Sequence, residues 1–84
     1  MDLNKSVEKI STRSDLVSFI NSLVSDFKKD SKSWENHKLD QYLEALSGWI
    51  NDMDGYFINQ GLPVPKEIPW KLIGQMLLAA KYYE

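Results

Sequence analysis

Residues 39–60 read LDQYLEALSGWINDMDGYFINQ, and this stretch decides the fold. Leu39, Tyr42, Leu43, Leu46, Trp49, Ile50, Met53, Tyr56 and Phe57 recur at alternating spacings of three and four. At the ~100° per residue of an α-helix they gather on one arc of roughly 140°, whereas a strand would need alternation by two. Gly61 suits the left-handed residue that closes a helix, and Pro63 follows it. The spacing predicts a long amphipathic helix over about 39–60.

Upstream, Thr12 and Asp15 form the [ST]-x-x-[DE] pair of a capping box. Behind it Leu16, Val17, Phe19, Ile20, Leu23, Val24 and Phe27 share an arc of roughly 160°, which places a helix at about 13–29. The polar run from Lys28 to Ser33 reads as a loop, with Trp34 folded back onto the core. Leu3, Val7 and Ile10 suit a short helical segment within residues 1–10 that lies on the domain. Downstream, Pro63 and Pro65 stiffen a connection to a last helix over about 69–83, with Pro69 at its first position. There Trp70, Leu72, Ile73, Met76, Leu77, Ala80 and Tyr83 cover nearly half the circumference, while Leu78 and Tyr82 fall outside that arc. A helix this apolar is either enclosed by two neighbours or shares a surface with another chain. The fold reading is all-α: one domain over 1–84, a compact bundle of three long amphipathic helices plus a short N-terminal one.

Composition narrows the function classes. The chain has 84 residues, is 43% hydrophobic, and contains three Trp and no Cys, so a core is available and disulfide or thiolate chemistry is not. No basic n-region with an apolar run opens the chain and no apolar run approaches ~20 residues, so the expectation is a cytoplasmic protein without a membrane partner. The net charge of −2 is uneven: residues 39–65 carry Asp40, Glu44, Asp52 and Asp54 with no Lys or Arg. A nucleic-acid binder needs a basic face, so nucleic acid is not expected as a partner.

Catalytic constellations are absent from the pattern. The single histidine, His37, has no cysteine or second histidine to join it, and reads as solvent-facing. Asp52-Met53-Asp54-Gly55 echoes an EF-hand loop, but in that register Ile50 and Gly61 would fill ligand positions that need oxygen donors. Neither an enzyme nor a cofactor is expected.

One helix face stands out. Opposite the apolar arc of residues 39–60 lie Asp40, Glu44, Ser47, Gly48, Asn51, Asp54 and Gly55, within roughly 120° of one another. Two interior glycines cost about 1 kcal/mol each relative to alanine, which a plain solvated face would avoid. Overlay by the N-terminal segment would explain them structurally. The functional alternative is a stripe that meets a basic surface on another protein. The favoured expectation is a non-enzymatic interaction module of the immunity or antitoxin kind, by analogy. The alternatives are a homodimer through Leu78 and Tyr82 of the last helix, or a carboxylate metal site using Asp40, Glu44 and Asp54.

The sequence also resembles a small family of uncharacterised bacterial proteins, a domain of unknown function. The resemblance is carried by Trp34-Glu35-Asn36, Leu39-x-x-Tyr42-Leu43-Glu44-Ala45-Leu46 with Trp49, and Asp52-Met53-Asp54-Gly55-Tyr56. It continues in Pro69-Trp70 and in Leu77-Leu78-Ala79-Ala80 with Tyr83-Glu84, and spans about Ser14 to Glu84. Lys38 departs from the pattern, which tends to have a threonine cap there. The resemblance implies a complete bacterial chain and brings no activity, ligand or site residue.

Overall fold

The computed structural model describes residues 2–83; Met1 and Glu84, which the N-terminal and C-terminal motifs above include, lie outside the described residues. Its helices are α1 (Leu3–Glu8), α2 (Arg13–Lys29), α3 (Leu39–Asn59) and α4 (Trp70–Ala80), with a single 3₁₀ turn at Ser31–Ser33. There is no strand among the described residues. The chain is the all-α bundle that the periodicity predicts, with α2 and α3 at the expected boundaries.

Local chemistry fixes the helix ends. The Asp2 carboxylate accepts from the N–H groups of Asn4 and Lys5 and so caps α1. At α2 the capping box is complete: Thr12 Oγ1 accepts from the Asp15 N–H at 3.1 Å, and the Asp15 carboxylate accepts from the Thr12 N–H at 3.2 Å. The Ser11 N–H and hydroxyl also donate to Asp15, and these bonds hold its carboxyl below the ordinary value. Lys38 gives α3 no side-chain cap. At the far end of α3, Gly61 sits at φ +69°, while its N–H and that of Leu62 close onto the carbonyls of Ile58 and Phe57. This pair of bonds is the Schellman arrangement that glycine permits.

Helix α4 is shorter than the apolar pattern suggests. Pro69 precedes it in extended conformation, and the chain turns after Ala80. Its surroundings explain its composition. α1, α2 and α3 all pack on α4, so Leu72, Met76, Leu78 and Ala80 are all buried although they do not share one face. Gly74 lies where α1 comes closest: a Cβ there would meet Ile10 Cδ1 at 2.5 Å and Val7 Cγ2 at 3.2 Å. The core falls into two parts. Leu3, Val7, Ile10, Leu16, Phe19, Leu23, Trp34 and Leu78 form one, and Trp49, Phe57, Leu72 and Met76 the other.

Distant polar contacts fasten the C-terminal end of the chain. The Asn36 side-chain amide donates to the carbonyls of Ala80 (3.0 Å) and Tyr83 (2.6 Å), and its backbone N–H donates to Lys81 O (3.2 Å). A loop residue thus takes the last carbonyl of α4, at Ala80, and two more from the segment that follows it. Tyr42 donates to Leu77 O at 2.7 Å, and burial pushes its phenol up to about 12.

Candidate functional site

The acidic stripe of α3 comes out only partly as the helical spacing suggests. Asp40, Glu44, Ser47, Asn51, Asp54 and Gly55 are exposed, and a Cβ on Gly55 would meet nothing within 4 Å. Gly48 differs: the Tyr83 ring lies over it, and a Cβ there would meet Tyr83 Cε2 at 3.3 Å. That glycine makes room for the chain's own C-terminal aromatic, whose hydroxyl donates to the Asp52 carboxylate. The overlay by the N-terminal segment does not occur, because α1 packs on α4 and α2.

Two other expectations need correction. Leu78 is buried rather than available to a second chain, because α1 covers the side of α4 on which it lies. Tyr82, its intended partner in a dimer contact, is 49% exposed. The carboxylates of Asp40, Glu44 and Asp54 are not gathered around a common point either. Fourteen residues of α-helix separate the first from the last by about 21 Å of rise, and no group of three metal-ligating side chains comes together among the described residues. The Asp52–Gly55 stretch lies inside α3, with no loop geometry for calcium.

The surface that periodicity alone did not reveal lies between α2 and α3. Both helices pack on α4, but their backbones stay apart from each other. Their apolar arcs are therefore wider than the neighbours available to cover them. On α2, Leu16, Phe19 and Leu23 are buried while Val17, Ile20 and Val24 are exposed. On α3, Trp49 and Phe57 are buried, whereas Leu39 is 75% and Leu43 52% exposed. The result is an open groove of about 540 Å³ between the two helices. Ile20, Val24, Leu39 and Tyr42 line its walls, Leu77 of α4 its floor, and Trp34 one end. Trp34 spans that end with its ring 5.2 Å from Phe27 and 5.9 Å from Tyr42. The charged side chains in the lining are Lys28 and Lys38, with His37 beside them; no carboxylate lines it. The excess width of the arcs was visible in the sequence, but which flank would lack a neighbour depends on the placement of α4.

Behind the closed end of the groove sits an ion pair between a buried lysine and a partly exposed aspartate. Lys81, 5% exposed, donates to Asp26 Oδ2 at 3.0 Å, and the same oxygen accepts the Trp34 indole N–H at 2.8 Å. The indole N–H and then the ammonium hold the Asp26 carboxyl below its ordinary value. Lys81 Nζ also lies 5.3 Å from the Trp34 ring centroid and 4.9 Å from that of Tyr82. Nothing reactive faces solvent here. The pair anchors α2 and the Trp34 loop to the end of α4.

Several motif residues thus have structural work. Trp34 joins core and ion pair, Asn36 caps α4, Tyr42 bonds Leu77, and Asp52 holds Tyr83. Comparison with curated proteins finds no match, and comparison with solved structures finds none either. One family pattern does match, over residues 12–84, which takes in α2, α3, α4 and every motif residue just named. The chain belongs to this family, the Family of unknown function (DUF7660).

Proposed function

We propose that this protein is a non-enzymatic, cytoplasmic protein–protein interaction module that receives a partner in the α2–α3 groove. The observation that carries the reading is the uncovered pair of apolar flanks. Ile20 and Val24 on one helix and Leu39 on the other line the groove and stay exposed, while Leu16, Phe19 and Leu23 on the adjoining flank of α2 are buried. Contiguous exposed apolar surface on a small domain marks an interaction site more often than it marks neutral surface. A groove walled by two helices and floored by a third suits an amphipathic helix.

A second reading keeps Asp40, Glu44, Asn51 and Asp54 as a face for a basic partner, in the manner of immunity or antitoxin proteins. The freedom of this face from α1 and the open space at Gly55 favour it.

One experiment separates the two. Lysate of the native source is passed over three tagged chains: wild type, Ile20→Glu/Leu39→Glu, and Asn51→Lys/Gly55→Lys. A protein kept by the first and third but lost by the second is the expected result. Loss only with the third would move the site to the acidic face. Retention by all three would remove both readings. The four positions are exposed, and matching thermal unfolding curves would exclude a general loss of structure as the cause.

A further inference from the structure

The geometry points to an amphipathic α-helix with acidic side chains beside its apolar stripe as the occupant of the α2–α3 groove. This rests on the groove reading above and adds the chemistry of the partner. The apolar requirement comes from the walls and the polar one from the rim.

From Ile20 to Lys28 the α2 wall runs for about 12 Å, a little over two turns of helix. A partner segment of similar length would meet Ile20 and Val24 on one side and Leu39 and Tyr42 on the other. Its apolar residues would recur at i, i+3, i+4 and i+7, the spacing that keeps them on one face. A helix laid along the groove would touch α2, α3 and α4 together.

The rim selects charge. In a protein of net charge −2, the charged lining of this groove is Lys28 on α2 and Lys38 at the start of α3, with His37 beside it. Lys28 and Lys38 are exposed, and neither is paired with a carboxylate among the described residues. The acids of α3 that are nearest in sequence, Asp40 and Glu44, stand outside the lining. An approaching helix therefore meets one unpaired lysine on each wall of an apolar trough. Acidic residues next to its stripe would find complementary charges, and basic ones would meet repulsion.

The test uses the full chain and two synthetic sixteen-residue helices. They share a Leu/Ile stripe on an Ala/Gln scaffold and differ only in two flanking residues, Glu in one and Lys in the other. Binding is followed by NMR titration of the chain at low and high salt. The Glu helix should bind about ten-fold more tightly than the Lys helix, as expected for two rim pairs gained against two repulsions. The preference should shrink with salt and reverse in the Lys28→Glu/Lys38→Glu chain. Equal binding of both helices at the groove would overturn the acidic partner and leave the groove reading standing. Absence of binding by either helix, with the resonances of Ile20 and Leu39 unmoved, would overturn both. Sedimentation of the chain alone supplies the remaining outcome: a dimer abolished by Leu39→Glu would mean that a second copy fills the groove, and would overturn the proposal.

Discussion

Asp26→Ala is expected to remove about 3 kcal/mol of stability, the consequence of leaving the buried Lys81 charge without its partner. For a domain of this length, with on the order of 4–13 kcal/mol in total, that is a large share. The substitution strands the Lys81 ammonium at 5% exposure and takes away the acceptor of the Trp34 indole N–H. Urea unfolding should show a lower midpoint with an unchanged slope. Removing both charges at once, as Asp26→Leu/Lys81→Met, should return most of the loss, because the desolvation cost disappears with the charges. A double variant as unstable as the single one would mean that Asp26 acts through packing.

The same pair sets the acid sensitivity. The folded state depresses the Asp26 carboxyl below its ordinary 3.8, so its contribution is complete above that value. It is lost as pH falls through the depressed folded value, where the carboxylate takes up a proton. Asp26→Asn should therefore be less stable than wild type at pH 7 and should approach it as pH falls through that depressed folded value. Parallel acid limbs in the two proteins would assign the sensitivity elsewhere, with the Asp15 cap as the first candidate.

The second large effect is expected at Gly74. Leucine has the better helix propensity by roughly 0.8 kcal/mol, so an exposed Gly→Leu change would stabilise a helix. At Gly74 the sign should invert, with a loss of about 3 kcal/mol from overpacking. The built Cβ already meets Ile10 Cδ1 at 2.5 Å and Val7 Cγ2 at 3.2 Å, and both side chains are buried with little space to retreat. The cheapest response is for α1 to lift off α4. Limited proteolysis should then cut first between residues 2 and 11 in Gly74→Leu, while α2, α3 and α4 retain their helical signal. Gly74→Ala should lose less, since the Ile10 methyl at the end of its side chain must move by roughly 1 Å and propensity offsets part of that cost. Wild-type stability in Gly74→Leu would show that α1 is held loosely.

The helices were legible because their signals are local. The Thr12–Asp15 box, the three-and-four spacing of α2 and α3, and Gly61 before Pro63 each act within a turn or two of chain. The functional surface was less legible for the converse reason. Val17, Ile20, Leu39 and Leu43 have the period of core residues and belong to the same arcs as Phe19 and Trp49. Periodicity says which side of a helix is apolar, but not whether the fold supplies enough neighbours to cover it. Leu78 was misplaced by the mirror image of this error. It lies off the main arc of α4, yet the six residues of α1 provide an extra cover for it. The acidic stripe was visible as a set, and the structure divides it by one contact, Tyr83 over Gly48, between residues 35 positions apart.

The separation of α2 from α3 also bears on how the domain opens. Each half of the core reaches the other through α4, and only one end of the gap is crossed by Trp34 among the described residues. Such a molecule behaves as two cooperative units that share an axle. Amide hydrogen exchange should find α4 slowest, with α3 and the α1–α2 pair opening in separate subglobal events of different free energy. A guest lying in the gap would fuse the two units, so protection would rise together in helices that exchange independently when it is absent.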